Sequence, residues 1–299
     1  MSGPKFTEAM KRDYTILIPD ITTIHFKFLA RIFESCGYRV DILYNQGPNV
    51  VDEGLKYVHN DTCYPALLCI GQMMDALHSG KYDVHKTALM LTQTGGGCRA
   101  SNYIHLLRKA LDKAGLEFVP VLSLNFSGLD DNAIKLTPAM MVKALMAVVY
   151  GDLLMLLRNQ TIPYEDNKGD ADRLTEEWTE RLLAGFHSPK LISRRTLRKN
   201  LDEIAASFAA IPTTVTPKVK VGIVGEIYVK YAALGNNNLE QFLYDQGCET
   251  MVPGLYDFLM YCVQNSLEDF RIYGGNLVKR ACYRFVVNFL DGIRDDMRK

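Results

Sequence analysis

Short apolar runs alternate with amphipathic stretches over the first 130 residues. Residues 14–18 (YTILI) form a β-rich run closed by Pro19. Thr22 and Thr23 can cap a helix running to about Ser35, with Gly37 as its stop signal. Residues 38–44 (YRVDILY) predict a second strand, and residues 51–58 a short helix. Asn60, Asp61 and Thr62 offer further caps ahead of an apolar-periodic helix over 64–78, ended by Gly80. Residues 87–92 (TALMLT) are continuously apolar, as expected of a strand covered on both faces. Gly95, Gly96 and Gly97 turn the chain into a helix over 100–114, and residues 118–124 predict a fourth strand. Four β-to-α steps predict an α/β fold with a doubly wound parallel sheet.

From about Asp130 to Pro217 the pattern is helical, over 136–158, 170–184 and 197–210. Within it Lys190, Arg194, Arg195, Arg198 and Lys199 read as a solvated helix face. The β/α pattern resumes with strands over 219–224 and 249–252, a helix over 238–246, and helical segments near 256–264 and 277–298. The expected organisation is a first α/β lobe over 1–130, a helical insert over 131–216 and a second α/β lobe over 217–299. Two strands are few for an open sheet, so the second lobe reads as small or incomplete. Its exposed edge favours association of two copies as a homodimer.

Composition narrows the function. Thirty-four Lys and Arg balance 34 Asp and Glu, which argues against a generic nucleic-acid binder, since phosphate neutralisation needs clustered positive charge. No uninterrupted apolar run approaches 18 residues, and the N-terminus lacks the apolar core of a signal peptide. The expectation is a cytoplasmic protein with no membrane span. Seven widely spaced cysteines, an odd number without a CxxC pair, argue against a disulfide framework and against a compact zinc or ferredoxin-type run. A metal site would have to be assembled from distant parts of the chain.

Two cysteines stand out by context. Cys63 falls where a helix begins, with Pro65 in its first turn. Unpaired backbone N–H groups and the helix dipole there favour a thiolate and any anion bound to it. Cys98 follows the three glycines at a strand-to-helix turn, the edge where open α/β sheets form their ligand crevice. Two thiolates at equivalent helix starts beside a glycine loop suit an anionic iron–sulfur cluster. The plainer alternatives are a buried structural thiol at Cys63 and a small turn-filling residue at Cys98. Cys69, about 240° around the helix from Cys63, reads as core. So do Cys248, Cys262 and Cys282.

A competing reading uses the same turn. Gly95-x-Gly97-x-x-Ala100 fits a dinucleotide fingerprint after a strand. That fingerprint wants an acidic residue ending the next strand, whereas Glu117 precedes it and Asn125 follows it. Glu226 ends the strand opening the second lobe, as a polar site residue or as a cap. The six histidines form no HxH or HExxH pattern, and neither a GxSxG elbow nor a P-loop occurs.

Five segments together resemble the 2-hydroxyacyl-CoA dehydratase family, and within it the long proteins described as CoA-substrate-specific enzyme activases. They are GLKYVHNDTCYP (54–65), QTGGGCRASNY (93–103), VLSL (121–124), YGDLL (150–154) and VGEIY (224–228). The resemblance implies paired α/β lobes with a [4Fe-4S] cluster between them, and Cys63 and Cys98 match the first two ligand motifs. It implies an ATP-hydrolysing iron–sulfur activator that injects an electron, and a 2-hydroxyacyl-CoA substrate that loses water through a ketyl radical. Gly95, Gly96, Gly97 and Glu226 would line the cofactor pocket. A further downstream Cys motif rich in Pro and Phe, usual in such proteins, is not present here.

Overall fold

Strands and helices follow in the order that the apolar pattern predicts. In the computed structural model, residues 3–93, 98–124, 132, 134, 136–186 and 193–298 are described. A single turn α1 (Met10–Asp13) leads to β1 (Thr15–Pro19), α2 (Thr23–Glu34), β2 (Arg39–Leu43), α3 (Pro48–Tyr57) and α4 (Tyr64–His78). Then come β3 (Thr87–Thr92), a 3-10 turn at Arg99–Asn102, α5 (Tyr103–Lys113) and β4 (Val121–Leu124). The helices α6 (Pro138–Thr161), α7 (Asp170–Gly185) and α8 (Arg194–Ala209) follow. The chain continues through β5 (Lys220–Gly222), α9 (Ile227–Tyr231), α10 (Ala233–Asn236), α11 (Leu239–Asp245), β6 (Glu249–Met251), α12 (Leu255–Tyr273) and α13 (Leu277–Met297). The protein is mixed α/β and 62% helical, with a four-stranded and a two-stranded parallel sheet.

Contacts divide the chain into two compact units. One comprises residues 1–141 and 225–239, the other 142–224 and 240–299. This division does not follow the segments 1–130, 131–216 and 217–299, because residues 225–239 return to the first unit. Tyr228 and Ala232 are buried in the same apolar cluster as Leu17, Leu68, Leu89 and Ile104. Local periodicity cannot reveal such a return, since it is decided by where the apolar face of a short segment finds cover.

In the first unit the sheet has the order β2-β1-β3-β4, all parallel. Ile16, Leu17, Ala88 and Leu89 are wholly buried, as two-face cover of central parallel strands requires. The helices α3 and α4 approach so closely that only glycine fits at the crossing. A Cβ on Gly71 would lie 2.1 Å from the Val50 carbonyl oxygen, and one on Gly54 would lie 2.6 Å from that of Leu67. Gln72, buried in α4, donates to the carbonyls of Leu43 and Asn45 and so fixes α4 against the end of β2.

In the second unit β5 and β6 pair in parallel, Lys220 opposite Glu249. Among the described residues α6 is the one helix long and apolar enough to cross a membrane, with a mean hydropathy of 1.9 over its best window. The run is interrupted only by single charges such as Lys143 and Asp152, which a count of uninterrupted apolar residues treats as breaks. Its Val149, Tyr150 and Leu154 are wholly buried, and Asp152 accepts from the backbone N–H groups of Leu255 and Tyr256. Those contacts make α6 a core helix of its unit. Lys190 of the basic run lies outside the described residues, while Arg194, Arg195, Arg198 and Lys199 lie on an exposed helix face as expected, and Arg194 and Arg198 also reach the Asp296 carboxylate.

Candidate functional site

The order of the first sheet reverses between β1 and β3, the position where open parallel sheets form a crevice beyond their C-terminal ends. The segments reaching that edge are the loop after β1, the start of α4 and the 3-10 turn after β3.

Cys63 is the N-cap residue of α4, extended at φ −57° and ψ 143°, with Pro65 in the first turn. Its side chain caps nothing, so the thiol remains available. It is half-buried and meets the hydroxyl of Tyr103, with Sγ and Oη 3.0 Å apart. Cys98 occupies the corresponding position before the 3-10 turn and is exposed. The Ala100 N–H donates to its Sγ at 3.5 Å, and the Ser101 hydroxyl donates to its carbonyl. Gly95, Gly96 and Gly97 lie outside the described residues.

The Cys98 turn is fixed from the core. Gln93, at the end of β3, donates from Nε2 to the Ser101 carbonyl at 2.7 Å. Its Oε1 accepts from Ser123 Oγ of β4 at 2.8 Å. Both side chains are buried, so the interaction is shielded and the amide has one orientation. Their signal in the sequence is a polar residue near the end of each of two apolar strands.

Tyr103 joins the two cysteine segments. Its phenol is pushed well above the ordinary range, first by burial, then by its bond to Cys63 and by the charges of Cys63, Cys69 and Cys98. Cys69 is 1% exposed and belongs to the core. Burial pushes its thiol far up, with the Tyr228 hydroxyl opposing and Glu226 and Cys63 adding to the rise. The Tyr228 hydroxyl faces Cys69 without the geometry of a full hydrogen bond, and among the described residues it has no other partner.

Glu226 caps α9, accepting from the Val229 N–H at 2.5 Å, and its charge also reaches Cys69. It thus has the capping role. Asp20, just past β1, was not foreseen as a site residue. One carboxylate oxygen accepts from Thr23 Oγ1 at 2.8 Å, and the other is buried with no partner among the described residues. Burial raises its pKa to about 6, against the lowering effects of Thr23 and Lys27. The neighbouring Thr22 hydroxyl is likewise buried and unpartnered.

These residues fit an iron–sulfur cluster in part. A [4Fe-4S] cluster commonly takes four thiolates, and Cys63 and Cys98 offer two at one edge. The buried Cys69 thiol resists ionisation, the opposite of what a ligand needs. Among the described residues no three His, Cys, Asp or Glu side chains are grouped to hold a metal ion. The chain presents two sulfur donors, and further ligands would have to come from elsewhere.

Comparison with protein-family models, curated proteins and solved structures finds no match.

Proposed function

We propose that this chain contributes Cys63 and Cys98 as two ligands to a [4Fe-4S] cluster, in a redox protein of the 2-hydroxyacyl-CoA dehydratase and activase type. In this reading the sheet carrying them is one of two doubly wound lobes. An ATP-hydrolysing iron–sulfur activator supplies the electron, and a CoA thioester is the substrate. The observation that carries it is that Tyr103, which opens α5 directly after the turn begun by Cys98, meets the Cys63 sulfur at 3.0 Å, so that one residue links the two cysteine segments.

When bound, the cluster supplies a one-electron redox centre. This chain's own residues orient its two sulfurs. The open N-terminus of α4 favours negative charge at Cys63, and the Gln93–Ser123 pair holds the turn at Cys98. Among the described residues, buried polar atoms of Asp20, Thr22 and Tyr228 have no partner, which leaves hydrogen-bonding capacity there.

The test is iron and sulfide content per chain after anaerobic reconstitution. Wild type should bind both, Cys63→Ser and Cys98→Ser should lose them, and Cys69→Ser should retain them while melting earlier. Wild-type protein that takes up no iron would sink the reading. So would Cys63 and Cys98 variants that keep the wild-type content.

A further inference from the structure

We propose that the antiparallel hairpin of α12 and α13 is a self-association surface, joining two copies of this chain through a four-helix bundle. The hairpin is built as one piece. Tyr256 Oη donates to the Leu290 carbonyl at 2.7 Å near its base, and the rings of Phe270 and Tyr283 meet at 5.6 Å near its tip. Each helix is anchored along one side only, α12 by Tyr256 and Met260, α13 by Val287, Leu290 and Ile293.

The outer side of each helix carries a second apolar stripe. At about 100° per residue, Phe258, Tyr261 and Ile272 lie within about 60° of one another on α12, facing away from its anchors. On α13 the spacing of Val278, Phe285 and Phe289 keeps those three within about the same arc. All six are 45% to 73% exposed. A helix with two apolar faces is a buried helix that lacks part of its cover.

Area and charge both select a second copy as that cover. An aromatic side chain presents about 150–250 Å², so the exposed parts of these six amount to on the order of 700 Å². A stable interface takes about 800 Å² from each partner, which the flanking Tyr273 and Leu277, also exposed, readily complete. Near the tip α12 exposes Glu268 and Asp269 together with Arg271, which pairs with Glu268 at 3.3 Å, whereas α13 exposes Lys279, Arg280 and Arg284. Among the described residues those three cations make no ion pair. A two-fold axis along the hairpin sets α12 of each copy against α13 of the other. Acidic and basic segments then meet twice, as an isologous contact requires.

Sedimentation equilibrium on the full chain tests this. Wild type should dimerise, and Phe285→Glu should raise the dimer dissociation constant at least about 30-fold, the scale of a hot-spot side chain. Lys279→Glu with Arg284→Glu should weaken the dimer, and adding Glu268→Lys with Asp269→Lys should restore it. Circular dichroism melts of the variants, all altered at exposed positions, establish that each is folded. A monomer at every attainable concentration overturns the proposal. A dimer indifferent to Phe285→Glu does so too, since it must form elsewhere, for instance at the β5–β6 edge. A monomeric wild type whose hairpin binds another protein or a lipid vesicle also overturns it.

Discussion

The hydroxyl of Tyr103 and the sulfur of Cys63, 40 residues apart in sequence, lie 3.0 Å from each other. Tyr103 opens α5 directly after the turn begun by Cys98, so this contact ties the start of α4 to the start of α5. Tyr103→Phe keeps the ring and removes only the hydroxyl. One hydrogen bond is worth about 0.5–1.5 kcal/mol, so urea unfolding should show a loss in that range. Cys63 should also react faster with a thiol reagent in the folded protein, while Cys69 stays protected. An unchanged Cys63 rate would mean that the phenol does not restrain it.

Asp20 sits at the same edge and makes a pH-dependent contribution. Its carboxyl titrates at about 6 in the fold against an ordinary 3.8, mainly because it is buried. Between those values the folded chain holds a proton that the unfolded chain has released. Stability therefore falls as pH rises through this window and stays at its lower level above it. The displacement is worth at most about 3 kcal/mol, at about 1.4 kcal/mol per pH unit. Asp20→Asn keeps an acceptor for Thr23 and carries no charge. It should raise the urea midpoint at pH 7 and bring no gain at pH 4. A variant that is destabilised at both values would show that the carboxylate is paired in the fold.

Most elements of this fold are legible in the sequence. The helix 64–78 and the strand 87–92 fall where the apolar pattern puts them, because each is closed by its own cap or breaker. Long-range partners are not legible. Nothing local announces that Tyr228 is buried beside Cys69, or that Arg194 of α8 binds an acid 102 positions away. The cap positions of Cys63 and Cys98 were legible, since a residue at a helix start has a local signature. Asp20, Gln93 and Tyr103 were not, since their roles come from neighbours contributed by other strands and helices.

The crossing of α3 and α4 allows a steric prediction. Alanine at position 71 would place its Cβ 2.1 Å from the Val50 carbonyl oxygen, which belongs to backbone and cannot swing aside. The helices must separate, at a cost of about 1–3 kcal/mol or more. Because α4 carries Cys63 at its N-terminus, Gly71→Ala should also lower iron retention after reconstitution. Gly80→Ala is a different case: its φ is 74° but nothing crowds it. It should cost only about 1 kcal/mol of backbone strain and leave iron retention unchanged. Equal effects from the two substitutions would mean that helix separation does not reach Cys63.

Asp296 offers the opposite pH behaviour to Asp20. Its side chain is 2% exposed and accepts from Arg194 Nε at 2.6 Å and Arg198 at 2.9 Å. The bonds from Arg194 and Arg198 hold its pKa down at about 2, against an ordinary 3.8. The folded state here favours the charged form, so the stabilisation is fully present above pH 3.8. It is lost as pH falls from there to about 2. Both arginine side chains are 52% exposed, so solvent screens the pair, and about 1–2 kcal/mol is expected instead of the full value implied by the displacement. Asp296→Asn should therefore lie about 1–2 kcal/mol below wild type at pH 7 in urea unfolding. The difference should shrink as pH is lowered below 3.8 and should narrow at high salt, where exposed charges are screened. A difference that holds constant with pH would assign the loss to packing of the Asp296 side chain and not to its charge.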